Sequence, residues 1–195
     1  NMDSGDWKEI SEVVYKLLNE KDIQGVIVTH GTDFLHYTSA ALGFALKNLN
    51  KPVVLTYSQR SSDRASSDAR LNLQCAARAA ISNIADVVLV GHANSSDEFC
   101  YVLPATKVRK MHTSRRDAFR TINAKPIAKV YPDKIEFLDS YKAGSHGKFE
   151  VKSNFSSKAA LVKFYPGQDP DILNYYVKNK YKGLIIEMSG LGHVI

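Results

Sequence analysis

In the stretch VIVTHGTDFLHYTSAALGFAL an apolar, β-branched run stops at THGTD and a helical pattern follows, which leaves Thr32 and Asp33 at the end of a strand. A threonine hydroxyl becomes a nucleophile once a base removes its proton, and a carboxylate at a strand end can anchor a substrate ammonium. The same two residue types are common helix caps, and the dipeptide alone fits that structural role best. A base is therefore the group to look for elsewhere. Lys110, in RKMHTSRRDAF, qualifies if burial beside polar partners disfavours its charged form. On pattern alone that segment reads more readily as a solvated basic face.

A third segment, QRSSDRASSDARLNL, is dense in hydroxyls and charges for a loop between a strand and a helix. Ser66 to Asp68 read as the N-cap of the helix carrying Leu71, Leu73 and Cys75. A loop at the same sheet edge as Thr32 can also frame a pocket. His30 and His112 lack the spacing of a metal pair and read as hydrogen-bonded structural histidines, so no metal site is expected. Cys75 and Cys100 lie in apolar stretches and read as core thiols of a reducing, cytoplasmic compartment.

The elements that must position these residues follow from periodicity. GVIVTH, PVVLTY and DVVLVGH are short runs apolar on both faces, separated by helical patterns near 36–47 and 68–81. That alternation implies an α/β fold with a parallel sheet flanked by helices, where ligands bind beyond the carboxyl ends of the strands. An amphipathic helix is expected in DWKEISEVVYKLLNE, with Asp6 and Glu9 as its capping box. PIAKVYPDKIEFL reads as an antiparallel pair turning at YPDK. A first domain is expected over 1–138 and a polar, Gly/Ser-rich linker over 139–157. The start of a second, smaller α/β domain is expected over 158–195, built from AALVKFY, a helix after PGQDPD, and GLIIEM. So short a second unit seldom buries its own core, and the chain is expected to be a piece of something longer.

The 195 residues are 44% hydrophobic and 24% charged, an ordinary globular composition. No apolar run reaches the roughly 20 residues of a bilayer span, and NMDSGDWKEI lacks the order of a signal peptide. No membrane association is expected. The net charge of +6 and pI near 9.2 fit either an acidic partner such as nucleic acid or a solvated surface.

Taken together, the segments resemble the asparaginase/glutaminase family. VTHGTDFLHYTSAAL is similar to the family signature V-x-H-G-T-D-[ST]-x-x-x-[ST]-A, read from Thr29 to Ala41 with Phe34 where Thr or Ser is commoner. SQRSSDRASSDARLNL resembles the loop leading to an Asp-x-x-x-Asn pair, and FYPGQDP with GLIIEMSGLGHV resembles the opening of the smaller C-terminal domain. Within the family, RSSDRASSDARLNL and VRKMHTSRRDAFRTIN look most like the D subunits of archaeal glutamyl-tRNA(Gln) amidotransferases.

The resemblance implies a glutaminase that releases ammonia from glutamine, which a partner subunit uses to convert Glu-tRNA(Gln) to Gln-tRNA(Gln). It implies a homodimer, no cofactor in this chain, and ATP, magnesium and tRNA handled by that partner. By resemblance Thr32 is the second active-site threonine, Asp33 holds the substrate's α-amino group, Lys110 relays the proton, and backbone N–H groups near Gly31 and Thr32 receive the oxyanion. The family's first catalytic threonine lies in a T-G-G-T-I motif, which this sequence does not contain. Alone, the chain is therefore expected to be inactive. Two other readings stand beside this one: a free-standing cytoplasmic L-asparaginase, and a catalytically silent module of the same fold.

Overall fold

The structure, a computed structural model, describes residues 2–144 and 147–193. The chain divides into two compact units, 1–153 and 154–195. The first contains α1 (Ser4–Leu18), β1 (Val26–Thr29), α2 (Leu35–Ala45), β2 (Leu46–Lys47), β3 (Val53–Thr56), α3 (Ala69–Ala80), β4 (Val87–His92), β5 (Cys100–Pro104), β6 (Val108–Lys110), β7 (Phe119–Thr121), β8 (Ala128–Val130), β9 (Ile135–Phe137) and β10 (Glu150–Val151). The second contains β11 (Ala159–Lys163), α4 (Asp171–Lys178) and β12 (Gly183–Glu187).

The main sheet has the order β1-β3-β4-β5-β8-β9. Its first three strands are parallel, as their two-faced apolar runs require. The remainder is antiparallel, which the expected parallel sheet did not include. The cause is connection length: residues 93–99 turn β4 into β5 without room for the crossover that a parallel pair needs. The pair β8–β9 forms where PIAKVYPDKIEFL places it.

Alternation along β3 and β4 divides the core into two layers. Val53, Leu55, Val87 and Leu89 join Val14, Leu18, Leu35 and Leu42 from α1 and α2 on one face. Val54, Val88 and Val90 join Cys75, Ala76 and Ala79 from α3 on the other. The capping box of α1 forms at Asp3 and Asp6 rather than at Asp6 and Glu9. The Asp3 carboxylate accepts the N–H groups of Gly5 at 2.7 Å and Asp6 at 3.2 Å, and the Asp6 carboxylate accepts the N–H of Asp3 at 2.8 Å.

The boundary between the two units falls inside the stretch expected as a linker, 139–157, of which positions 145–146 lie outside the described residues. Part of that stretch is strand: β10 pairs with β2, Phe149 packs on Tyr15 with ring centroids 4.7 Å apart, and Ser153 donates to Glu12 at 3.1 Å. Polar composition hid these contacts, because β10 is only two residues long and owes its pairing to the first unit. In the second unit β11 and β12 pair in parallel with α4 between them in sequence. Val162 is its one buried large apolar side chain among the described residues, and Leu161, Val177 and Ile185 are exposed. No helix among the described residues is long and apolar enough to cross a membrane.

Leu55 lies on β3, an inner strand of the sheet, with no solvent exposure. Leu55→Ala is expected to lower the unfolding free energy by about 2–5 kcal/mol, read by urea denaturation. A loss below about 1 kcal/mol would contradict its central place in the core.

Candidate active site

Parallel register brings the carboxyl ends of three strands to one edge, with Thr29 beside Thr56 and Thr56 beside Val90. The ladder runs one step further, as the His30 N–H donates to the Thr56 carbonyl at 3.0 Å. Gly31, Thr32 and Asp33 then leave the sheet, and Phe34 turns the chain into α2 with a left-handed φ of 61°. Left-handed backbone in an aromatic residue costs energy that surrounding structure must hold. No side chain caps α2. The capping role that the dipeptide suggests is therefore not the one Thr32 and Asp33 take.

Both side chains turn instead to Lys110. Its Nζ lies 2.9 Å from Thr32 Oγ1 and 2.8 Å from Asp33 Oδ1. Lys110 ends β6, which follows a single 3-10 turn, Ala105–Lys107. That turn lies tight under α2. The buried Ser39 hydroxyl donates to the Ala105 carbonyl at 3.1 Å, and a Cβ added to Gly43 would come 3.1 Å from Thr106 Cγ2. On its other side β6 pairs with β7, placing Lys110 opposite Phe119, whose ring lies 4.6 Å from that of Tyr57. Packing against α2 and β7 thus carries the lysine to the strand edge.

The Lys110 side chain is 15% exposed and that of Asp33 is 84% exposed. The Lys110 hydrogen bond, and then its charge, hold the Asp33 carboxyl below its ordinary range. Only Oδ1 of Asp33 is engaged by Lys110, which leaves Oδ2 of this largely exposed carboxylate without a hydrogen-bond partner among the described residues. Burial first, and the charges of Arg109 and Lys110 second, push the His36 imidazole down from its ordinary value. Within the described residues no hydrogen bond engages the backbone N–H of Gly31, Thr32 or Asp33. A Cβ added to Gly31 would meet nothing within 4 Å. The edge therefore offers a hydroxyl, an amine, a carboxylate and unengaged N–H donors around open space.

A polar network stiffens the neighbouring loops. Fully buried Asp68 accepts from Ser58 Oγ (3.1 Å), from the N–H groups of Gln59 (3.0 Å) and Arg60 (2.9 Å), and from Asn72 Nδ2 (3.2 Å). Asp68 does stand at the N-cap of α3, but its carboxylate faces the loop rather than the helix, and Ser67 Oγ accepts the Ala69 N–H. Asn72 Oδ1 meets His92 Nδ1 at 2.6 Å, and His92 Nε2 meets Asp97 at 3.0 Å. The His92 hydrogen bond, aided by Arg116, holds the Asp97 carboxyl below its ordinary range. A cavity of about 160 Å³ lined by His30, Tyr57, Ser58, Ala69 and Leu73 opens at this edge. A larger cleft of about 470 Å³ borders Asp86, Lys107, Lys125 and Lys142, away from Thr32 and Lys110.

His112 is structural, its Nδ1 accepting the N–H groups of Ser114 and Arg115 at 3.1 and 3.2 Å. Arg115 and Arg120 pair with Asp117, and Arg116 pairs with Asp97. Sequence reasoning missed this pairing, and although the family resemblance marked the Asp-x-x-x-Asn pair of Asp68 and Asn72, it missed their buried link to His92. The i,i+4 spacing of Asp68 and Asn72 was the one available signal for that link. Among the described residues no group of three His, Cys, Asp or Glu side chains is arranged to hold a metal.

The chain matches the family described as asparaginase, N-terminal, over residues 1–142, and it belongs to the asparaginase family. It is 54% identical over 189 residues to the D subunit of glutamyl-tRNA(Gln) amidotransferase from Thermococcus kodakarensis, covering 96% of this chain and 43% of that one. It is 49% identical over 197 residues to the protein of the same name from Methanosarcina acetivorans, covering 100% and 46%. The chain thus spans less than half the length of these relatives. Among solved structures it is similar to the thermostable L-asparaginase of Thermococcus kodakarensis, with a TM-score of 0.89 and 27% identity, covering 100% of this chain and 56% of that one. L-asparaginase I of Vibrio cholerae gives a TM-score of 0.85 at 26% identity, covering 100% and 57%.

A depressed carboxyl pKa means that the Asp33–Lys110 pair contributes above the ordinary carboxylate range and is lost as pH falls through the folded-state value. In an NMR titration Asp33 is expected to titrate below the ordinary carboxylate range, and Lys110→Met, which removes the hydrogen bond and the charge, is expected to raise it back toward that range. An unchanged Asp33 titration in Lys110→Met would contradict the pairing.

Proposed function

We propose that this chain is the amide-hydrolysing part of a D subunit of glutamyl-tRNA(Gln) amidotransferase, releasing ammonia from glutamine for amidation of Glu-tRNA(Gln). The observation that carries the reading is the position of Lys110 Nζ between Thr32 Oγ1 and Asp33 Oδ1. The relatives near 50% identity, which bear that name, support it.

In this reading the substrate's α-ammonium docks on Asp33 Oδ2. It takes over part of the carboxylate's charge, so that the Lys110 ammonium, its countercharge shared, releases a proton to solvent and becomes a neutral amine that accepts the proton of the Thr32 hydroxyl. Thr32 relays the proton taken from the nucleophile that attacks the side-chain carboxamide. Collapse of the tetrahedral intermediate breaks the C–N bond, the same relay returns the proton to the departing nitrogen, and water then attacks the acyl ester left on the nucleophile, breaking its C–O bond and returning a proton to the nucleophile's oxygen. Glutamine and water thus become glutamate and ammonia. The unengaged N–H groups near Gly31 and Thr32 face the oxygen on which negative charge develops.

ATP, magnesium and tRNA fall to the partner subunit in this proposal. The pairing of Arg115, Arg116 and Arg120 within the chain supports that division, since it leaves those guanidinium groups committed rather than free for phosphates. The buried thiols of Cys75 and Cys100 suit a cytoplasmic setting. Phe34, just before α2, and Tyr37 and Phe44 on it, all exposed, provide apolar surface for the homodimer contact included in the proposal. The likeness to L-asparaginases keeps a second reading, a free-standing asparaginase with the same chemistry.

Ammonia release by the complete protein carrying this sequence, assayed with glutamine and asparagine and with and without its partner, separates the two. Glutamine turnover coupled to Glu-tRNA(Gln) amidation is expected, and asparagine turnover independent of any partner would favour the second reading. Lys110→Met is expected to lower ammonia release by about a thousandfold or more while circular dichroism shows an intact fold. Asp33→Asn is expected to act mainly on KM. A folded Lys110→Met protein with near-normal turnover would falsify the relay.

A further inference from the structure

His30 stands between the sheet and the proposed chemistry, and its ring nitrogens are both engaged. Nδ1 lies 2.5 Å from the Gly31 carbonyl oxygen, and Nε2 lies 3.0 Å from Thr38 Oγ1. Trp7, from α1, donates its indole N–H to the same Thr38 oxygen at 3.1 Å. Thr38 itself has no solvent exposure.

The chemistry of the Gly31 carbonyl and the Trp7 indole fixes the direction of two of these hydrogen bonds, and the third follows for a neutral ring. A carbonyl oxygen only accepts and an indole N–H only donates. In the neutral ring Nδ1 must therefore carry the proton that goes to Gly31, and Nε2 accepts the proton of Thr38. The hydroxyl of Thr38 in turn accepts from Trp7. The Gly31 carbonyl thus sets the tautomer of the neutral ring and Thr38, held by Trp7, sets its orientation, and the product of that arrangement is a held Gly31 carbonyl.

The peptide between Gly31 and Thr32 is planar and trans, so anchoring its carbonyl turns the Thr32 N–H to the opposite side. That N–H has no hydrogen-bond partner among the described residues, and the side chain of the same residue meets Lys110. Gly31 leaves open space where a Cβ would stand.

We propose that His30 is a positioning residue for amide hydrolysis, its ring holding the Gly31–Thr32 peptide so that the Thr32 N–H faces the oxyanion of the tetrahedral intermediate. The inference rests on the amidohydrolase reading of the site and adds to it the chain from Trp7 through Thr38 and His30 to Gly31. An unanchored peptide rotates, and a donor that must be in place before charge develops loses its advantage over water.

The test is glutamine-dependent ammonia release by the complete protein, with kcat and KM measured separately and thermal melts on every variant. His30→Asn places an amide N–H close to where Nδ1 stands and is expected to keep kcat within about tenfold of the parent. His30→Gln offers its N–H near Nε2 instead, and is expected to lose kcat on the order of 100-fold with KM changed less than about threefold. Thr38→Val, which removes the link to the ring, is expected to follow His30→Gln in direction, and Thr38→Ser to restore turnover. If the His30 variants melt below the assay temperature, the Thr38 pair carries the same comparison. Equal turnover in His30→Asn and His30→Gln, or a loss in His30→Gln that falls on KM alone, overturns the positioning role. Lys110→Met serves as the reference. If it is inactive while His30→Gln turns over normally, the His30 proposal fails and the amidohydrolase reading stands. If Lys110→Met is active, the reading beneath the proposal fails as well.

Discussion

An ammonium group carried to a place where its side chain is only 15% exposed needs partners, because a charge removed from water without them is strongly disfavoured. Lys110 finds them in Thr32 and Asp33, residues 78 and 77 positions earlier in the chain. Much of the first unit's architecture serves that meeting. The parallel strands β1, β3 and β4 place the Thr32 loop at their carboxyl edge. The pairing of β6 with β7 and the close approach of the 105–107 turn to α2 bring the lysine to the same place. If α2 shifted on that turn, the cation would part from its countercharge.

The neighbouring loops are organised by the same physical demand. Asp68, fully buried, is satisfied by loop N–H groups, a hydroxyl and an amide. A carboxylate in that position tolerates few loop conformations, since each lost donor leaves buried charge unsatisfied. Asn72 extends the constraint to Tyr57 and His92, and Asp97 and Arg116 extend it to the segment after β6. The outcome is an edge whose loops are stiff although they are not regular secondary structure.

How far this was legible in the sequence depends on the range of each interaction. The helices over 35–45 and 69–80 and the strands over 53–56 and 87–92 follow from local periodicity, because burial on a face is written into adjacent residues. Thr32 and Asp33 stood out by their place at a strand end, yet composition could not choose between capping and chemistry. The choice depends on Lys110, and only the family resemblance pointed to that residue. Pattern alone read its segment as a solvated basic face, because the aspartates that pair with its arginines include Asp97, outside the run. The role of Trp7 and Thr38 beside His30 left no local trace, since the three meet only when α1 packs against α2 near the start of the site loop. The antiparallel half of the sheet was set by loop length, a signal weaker than the apolar runs beside it.

The proposed chemistry turns on the amine of Lys110 as the group that moves protons at Thr32. Chemical rescue of Lys110→Ala in the complete protein tests this most directly, with ammonia release from glutamine followed as small primary amines are added. A relay through that amine predicts that the variant is folded and nearly inactive, and that ethylamine or propylamine restores turnover in proportion to the concentration of free amine. Near-normal turnover without added amine, or no gain with any amine in a variant that still binds glutamine, would contradict it.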